Sequence, residues 1–293
     1  NYGARISHWD YNNETLFSPR ATIAFIPAGH EDLLFRFSTG VYYQAPFYKE
    51  LKDTICSNGN FIVRLNEDIK SQKSIHFVFG TEYKFRIDNR PFKFTTELYY
   101  KLLSDLVPFK VDNVRVIYAG ENCASGYTAG LDCKLYGEFV PGTDSWVSFG
   151  LMKTEEKIQG KWSPRPTDQL LNFGIFFSDY FPNTDKWKIS VQGHYASGLP
   201  FGAPFAEISN KKFRFPAYRR VDIGISYCLI KQGSIQARKT HLKDLWIGLD
   251  AFNILDISNV NSYYWVTDIA NHQYAVPNYL TGRQLNARIL VDL

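Results

Sequence analysis

Apolar and polar residues alternate along most of this chain with a period of two. Between Ile75 and Ile87, for example, nearly every second residue is apolar, and polar residues such as Glu82 and Arg86 lie between them. Successive side chains of a β-strand point to opposite faces, so this pattern predicts strands with one apolar and one polar face. The run exceeds the usual strand of about five or six residues and suits the tilted span of a bilayer, about 9 to 11 residues.

The pattern recurs often enough to predict a fold class. We predict an all-β antiparallel transmembrane β-barrel, in which each strand has hydrocarbon on one side and water on the other. About eleven strands are predicted, at 16–26, 32–45, 73–87, 92–105, 123–139, 144–154, 168–180, 185–197, 217–230, 244–255 and 283–293. With an odd count, the first and last strands run in the same direction. Because a bacterial barrel has an even number of strands, residues 1–293 are predicted to be the C-terminal portion of one barrel domain.

Short and long connections take turns between the predicted strands. Short turns rich in Pro, Gly, Asn and Asp occur at 27–30, 88–91, 141–144 and 182–185, and long connections at 46–72, 106–122, 155–167, 198–216 and 257–282. This alternation is typical of a barrel with tight turns at one end and long loops at the other. The connection at 231–243 is an exception, because it is long but falls on the short-turn side.

Composition argues against several other classes. No stretch approaches the roughly 18 consecutive apolar residues of a membrane helix, and the net charge of +4 is too dispersed for a nucleic-acid-binding face. The four cysteines form no CxxC pair, so no metal site and no cofactor are predicted. A soluble β-sandwich remains the alternative fold. The densest basic cluster, predicted to be a solvated loop rim, comprises Lys211, Lys212, Arg214, Arg219 and Arg220.

Charged residues occupy the polar positions of the predicted strands. A charge that faces lipid near the midplane costs about 2 to 4 kcal/mol, so these side chains should face the lumen. They could line a solute path or pair with another domain, although most should be structural wall charges. The predicted lumen-lining residues are Arg36, Glu82, Arg86, Glu97, Asp132, Glu138, Asp222 and Asp250.

The long loops are the predicted place for ligand recognition, because binding side chains concentrate on loops. The candidates are side chains that could contact a sugar ring or a chelate, namely Trp162, Arg165, Phe201, Phe205, Tyr263, Tyr264 and Trp265. The alternative for the aromatic residues is a girdle at the membrane interface. No catalytic residue is predicted, since the chain has no Gly-x-Ser-x-Gly elbow and its histidines are scattered.

Several motifs carry a resemblance to a known family. The run from Trp246 to Asp256 ends in Asn253, Ile254, Leu255 and Asp256, and it resembles the penultimate-strand motif of TonB-dependent receptors. The segments 195–201, 218–224 and 122–132 are similar to further family motifs and occur in the family's order, with Asp132 in place of the usual Glu. The apolar alternation of 285–293 resembles an outer-membrane assembly signal, with Leu293 where Phe is commonest.

The resemblance implies a barrel of about 22 strands that is occluded by an N-terminal plug domain. It implies partners as well: outer-membrane lipid, a small-molecule or glycan ligand, and the inner-membrane TonB energy-coupling complex, which would act on an N-terminal region absent from this chain. The expected function is binding and import of a scarce, bulky nutrient such as a ferric chelate, a cobalamin or an oligosaccharide, at the cell outer membrane and without enzymatic chemistry. The alternatives are a passive porin-like or adhesive surface barrel, or an outer-membrane hydrolase.

Overall fold

The computed structural model describes residues 1–57, 60–140, 143–181, 184–203, 207–211, 213–233, 235 and 243–292. Within these ranges the chain forms 21 β-strands. In chain order they are β1 (Tyr2–Trp9), β2 (Glu14–Phe25), β3 (Leu33–Gln44), β4 (Lys52–Ser57), β5 (Asn60–Leu65), β6 (Gln72–Ile87), β7 (Arg90–Leu106), β8 (Phe109–Asp112), β9 (Arg115–Tyr118), β10 (Ala124–Val140), β11 (Thr143–Ile158), β12 (Lys161–Pro164), β13 (Leu171–Tyr180), β14 (Trp187–Ala196), β15 (Pro200–Phe201), β16 (Phe213–Arg214), β17 (Tyr218–Ile230), β18 (Asp244–Phe252), β19 (Val260–Thr267), β20 (Gln273–Tyr279) and β21 (Gln284–Asp292).

One continuous antiparallel sheet dominates the structure. Its order is β1-β2-β3-β6-β7-β10-β11-β13-β14-β17-β18-β21, and β12 also pairs with β11. The pairs β4–β5, β8–β9, β15–β16 and β19–β20 form small sheets within the long connections. Across the described ranges, β1 and β21 end the sheet and are not paired with each other, so the sheet is a partial barrel. The predicted fold class is therefore confirmed.

Apart from the short β12, the sheet has one strand more than the eleven that the sequence predicts. All eleven predicted strands are present, and β1 is the twelfth; it pairs with β2 from Tyr2 opposite Ala21 to Trp9 opposite Glu14. The alternation in β1 is weak, because His8 falls among its apolar positions and Trp9 among its polar ones. The predicted first strand, β2, does run in the same direction as β21, but the missed strand β1 precedes it and runs antiparallel to both, so the path has an even count. Strand parity no longer argues for an incomplete barrel.

The central strands are longer than a bilayer requires. β7 and β10 have 17 residues each, and β6 and β11 have 16. Because about 9 to 11 tilted residues cross the hydrocarbon core, these strands extend beyond it. No helix in the described part of the chain has the length and apolar character needed to cross a membrane.

The register places the predicted lumen residues on one face of the sheet. A row of Cα partners crosses six strands through Arg36, Gly80, Glu97, Asp132, Gly150 and Asn172. The same face holds four more of the predicted residues, Glu82, Arg86, Asp222 and Asp250. Glu138 lies beside the register shift between Gly137 and Val140. Ion pairs cross this face, among them Arg36 with Glu97 and Lys93 with Glu82.

The opposite face is apolar and has no protein layer over it in the described residues. Phe79 lies there and is 46% exposed, and Phe77, Leu98 and Ile225 are exposed as well. A soluble sandwich would bury such side chains between two sheets. Hydrocarbon around the sheet explains their exposure, so the structure favours the membrane barrel over the sandwich.

The clusters of buried apolar residues lie at the long-loop end of the sheet. Leu51, Ile69 and Val107 come from two different long connections and pack together, with Trp9 and Tyr118 partly buried against them. A second cluster joins Leu106, Ala124 and Ile158, which lie at the ends of β7, β10 and β11. Two of the long connections, 45–71 and 107–123, therefore pack against each other at this end of the sheet.

Asn253 ends β18 through backbone geometry and two hydrogen bonds. Its φ is +50°, in the left-handed region that Asn tolerates better than most residues. Its Nδ2 donates to the Ile257 carbonyl at 3.0 Å, and its Oδ1 accepts from the Ile257 N–H at 3.1 Å. Three residues on, Asp256 Oδ1 accepts from the Arg283 N–H at 2.9 Å, just before β21. The 253–256 motif therefore ties the end of β18 to the start of β21.

We expect Asn253→Ala to lower the free energy of unfolding by about 2 to 3 kcal/mol. The change removes two hydrogen bonds, each of about 1 kcal/mol, and leaves at positive φ an alanine, which tolerates the left-handed region less well than asparagine. Refolding of the full-length protein from urea into lipid vesicles would measure the loss. Asn253→Gly keeps the backbone conformation and should cost less; equal costs for the two variants would contradict this explanation.

Candidate functional site

Five long connections lie at one end of the sheet, because they alternate with the short turns. Their residues are 45–71, 107–123, 159–170, 197–217 and 253–283. Three of them contribute to a pocket between β8–β9, β15–β16 and β19–β20. We call it the loop pocket; it is lined by Lys110, Val111, Asp112, Asn113, Phe201, Gly202, Ala203, Glu207, Lys211, Phe215, Tyr263 and Trp265.

Three aromatic rings form one wall of the loop pocket. The centroids of Phe201 and Phe215 are 4.4 Å apart, and Tyr263 lies 5.2 Å from Phe201 and 5.5 Å from Phe215. The Phe215 and Tyr263 rings are nearly parallel, with planes 8° apart. Such ring pairs contribute about 0.5 to 1.5 kcal/mol beyond their buried area. We call this group the aromatic stack.

Backbone and side-chain hydrogen bonds hold the walls of the loop pocket together. The Phe215 N–H donates to the Leu199 carbonyl at 3.0 Å, which keeps β15 and β16 side by side. The Ser262 hydroxyl donates to Asn113 Oδ1 at 2.9 Å and joins the β19 strand to the β8–β9 turn. These two hydrogen bonds join residues of the three connections that line the loop pocket.

The structure brings together only some of the predicted ligand residues. Phe201, Tyr263 and Trp265 all line the loop pocket. Tyr264 points away from it, because neighbouring residues of β19 face opposite sides, and it is 58% exposed. Phe205 lies outside the described residues.

Two other predicted residues lie in the 159–170 connection and away from the aromatic stack. Trp162 is opposite Lys157 in the β11–β12 pair, and its ring lies edge-on to Tyr127 at 5.7 Å. Tyr127 belongs to the apolar face of the sheet, so this position fits the interfacial girdle that the sequence left as an alternative. The Arg165 side chain points to Glu156, with 3.3 Å between Nε and Oε2.

The predicted solvated rim is wrong for Lys211, whereas the Arg214 side chain remains 35% exposed. The Lys211 side chain is only 3% exposed, and its Nζ lies 2.5 Å from Oε1 of Glu156, whose side chain is fully buried. Arg214 forms an ion pair with the Asp168 carboxylate. Burial lowers the pKa of Lys211, and the Glu156 carboxylate opposes that shift in part. Lys212 lies outside the described residues.

Sequence reasoning missed Phe215, Glu156 and Asp168 as parts of this region. Phe215 precedes Pro216 in a long connection and gave no strand pattern. Nothing in the sequence around Glu156 or Asp168 indicates an ion pair, because their partners are 55 and 46 residues away. Throughout the described ranges, no group of three or more His, Cys, Asp or Glu residues could hold a metal ion.

A comparison with protein families matches residues 1–254 to the model described as TonB dependent receptor-like, beta-barrel. No curated protein sequence matches the chain. The family match includes the sheet from β1 to β18 and stops at Ile254, inside the motif that ends β18.

Solved structures match the chain over nearly its whole length. The ferric-catecholate import receptor Fiu from K12 E. coli has a TM-score of 0.63 at 16% identity, over 96% of this chain and 35% of that one. The ferric yersiniabactin uptake receptor FyuA from Yersinia pestis has a TM-score of 0.65 at 12% identity, over 96% and 38%. The outer membrane transporter YddB from Escherichia coli has a TM-score of 0.65 at 11% identity, over 98% and 42%. The chain therefore spans well under half the length of each of these proteins.

Proposed function

This chain belongs to the TonB-dependent receptors as part of their β-barrel, and from that membership we propose that the complete protein imports a scarce, bulky nutrient. The barrel is located in the outer membrane, where the apolar face of the sheet contacts lipid. We propose that residues 1–293 form the C-terminal portion of one barrel domain. The remaining strands and a plug domain would belong to sequence outside this range, which agrees with the 35% to 42% of the similar structures that the chain spans.

The observation that carries the proposal is the aromatic stack in the loop pocket. Phe201 and Phe215 come from one long connection and Tyr263 from another, so two loops build one apolar wall. The lining of the pocket also includes polar residues such as Lys110 and Asp112. An apolar wall with a few polar groups is typical of small-molecule sites.

The ligand classes we propose are a ferric chelate, a cobalamin or an oligosaccharide, since each has ring surfaces that can pack on aromatic side chains. Fiu and FyuA are receptors for ferric chelates, so ferric chelates are the first class to test. In this proposal the loops bind the ligand and the TonB complex drives its passage past the plug. No covalent step is proposed for this chain.

Uptake measurements with the full-length gene test the proposed function. Cells would be offered labelled ferric chelates, cobalamin and oligosaccharides, with and without the N-terminal box that couples to TonB. We expect one ligand class to accumulate only when both the gene and the box are intact. Uptake that persists without the box would favour the passive porin-like alternative. If none of these ligands is taken up, the result would favour the alternative of an adhesive surface barrel.

We expect Tyr263→Ala to weaken ligand binding by roughly tenfold or more, because aromatic anchors at the centre of a site carry much of the binding energy. Tyr264→Ala provides a matched control, since it removes the same side chain one residue along β19 but on the opposite face. Equilibrium binding of the accumulated ligand to whole cells would give both values. Equal effects of the two changes would place the ligand elsewhere.

A further inference from the structure

We propose that two ion pairs, Glu156–Lys211 and Asp168–Arg214, form a latch that holds the 197–217 connection against the 159–170 connection and β11. The latch would set the shape of the loop pocket and so make Lys211 and Arg214 positioning residues for ligand binding. The statement about ligand binding rests on the proposed function. The statement about the loop can be tested without any ligand.

The first pair is almost completely removed from solvent. Glu156 lies near the end of β11, and its side chain is buried together with that of Lys211. Lys211 Nζ donates to Glu156 Oε1 at 2.5 Å. Two buried charges this close stabilise each other only while both are present, because either one alone would keep its desolvation cost without a partner.

The second pair joins the 197–217 connection to the 159–170 connection, whereas the first joins it to β11. The Asp168 side chain bonds Arg214 through Oδ2 and accepts from the Thr154 N–H through Oδ1 at 2.7 Å. Arg214 Nη1 also donates to the Asp168 carbonyl at 3.0 Å and to the Gly198 carbonyl at 3.1 Å. One guanidinium therefore links the 159–170 connection to both ends of the 197–217 connection.

The latch residues are interleaved with the ligand-pocket residues. Lys211 itself lines the loop pocket, and Arg214 directly precedes Phe215 of the aromatic stack. Arg214 lies opposite Pro200 in the β15–β16 pair, next to Phe201. If the 197–217 connection leaves its docked position, two of the three rings of the stack leave with it.

The docked arrangement also leaves two atoms without hydrogen bonds, although their side chains form an ion pair. Glu156 Oε2 and Arg165 Nε lie 3.3 Å apart but are not aligned for a hydrogen bond, and both atoms are buried without a hydrogen-bond partner. Buried polar atoms without partners disfavour the state that contains them. The two ion pairs keep the 197–217 connection docked in spite of this cost. Loss of one charge should therefore favour the undocked state of that connection.

Hydrogen exchange of the detergent-solubilised full-length receptor tests the latch. In Glu156→Gln, the backbone amides of 197–217 should exchange on the order of 100-fold faster, because the Lys211 ammonium is left buried without its partner. The double variant Glu156→Gln/Lys211→Met removes both charges and should recover part of the protection. Exchange in β10 and β11 should stay slow and would show that the barrel has folded.

The matched control is the Lys231–Asp185 pair at the short-turn end, whose side chains are both exposed. Asp185→Asn should leave exchange in 197–217 unchanged. If Glu156→Gln fails to fold, Lys211→Met alone provides the second test. Unchanged exchange in 197–217 in a folded single variant, or a double variant more disturbed than both single ones, would overturn the latch.

Binding of a ferric-catecholate chelate, measured by quenching of protein fluorescence, separates the latch from the proposed function. If the chelate binds the unmodified receptor, Glu156→Gln should weaken that binding and Asp185→Asn should not. Faster exchange with unchanged affinity would overturn the positioning role and place the chelate outside the loop pocket. If the chelate does not bind the unmodified receptor, the ferric-chelate proposal fails. The hydrogen-exchange data still show whether the ion pairs hold the 197–217 connection.

Discussion

Replacing Gly198 with valine should displace the 197–217 connection and reduce ligand binding by roughly 100-fold, the largest effect we expect from a single change in the loops. A Cβ at position 198 would lie 1.6 Å from the Phe215 carbonyl oxygen and 2.5 Å from its carbonyl carbon. Both contacts are to backbone, which cannot move aside as a flexible side chain can. Overpacking of this kind costs about 1 to 3 kcal/mol or more, and each 1.4 kcal/mol is about tenfold in affinity.

The neighbouring hydrogen bonds make relaxation around residue 198 difficult. The Gly198 carbonyl accepts from Arg214, and the Leu199 carbonyl accepts from the Phe215 N–H. Gly3→Val is the control, because no atom lies within 4 Å of a Cβ at Gly3. Hydrogen exchange in 197–217 and equilibrium ligand binding would both be measured. If Gly198→Val retains native exchange and affinity, the close approach of the two backbone segments is not required for the site.

The second large effect concerns the lipid face of the barrel. Val191→Lys should lower the free energy of unfolding by about 2 to 4 kcal/mol, since it places a charge in hydrocarbon near the middle of β14. Val191 pairs with Phe177 and Ile223 on the apolar face. Refolding from urea into lipid vesicles, with the full-length protein, would provide the measurement.

Gln192→Lys is the matched control for this prediction. Gln192 is the next residue of β14 but lies opposite Phe176 and Asp222, on the face that carries the ion pairs. The same lysine should therefore be tolerated there, with water and an acidic neighbour beside it. A larger loss for Gln192→Lys than for Val191→Lys would reverse the assignment of the two faces.

The alternation of apolar and polar residues predicted most strands of the sheet. It failed for one strand, β1, where that alternation is interrupted. Eleven strands followed from alternation, whereas β1 required its partner, since His8 and Trp9 interrupt its pattern. The 253–256 motif was identified by its resemblance to a family motif. The structure shows its physical role, because Asn253 has a positive φ and its side chain forms hydrogen bonds at the end of β18.

The candidate site was predicted less completely than the sheet. The long connections and three pocket residues, Phe201, Tyr263 and Trp265, were predicted from loop length and aromatic character. Phe215 was missed, and Trp162 lies beside Tyr127 at the apolar face. Side-chain type indicates what a loop residue can contact. The direction in which it points depends on how the loop is anchored.

By itself, the sequence determined which side of each long strand meets hydrocarbon, because the two-residue repeat of a strand assigns every side chain to a face from local order alone. Only the tertiary structure decided that Lys211 is buried against Glu156 and that Arg214 bonds Asp168. The partners of each pair lie in different elements, 55 and 46 residues apart, and a charged residue gives no local indication of the partner that will neutralise it. The loop pocket depends on such distant contacts.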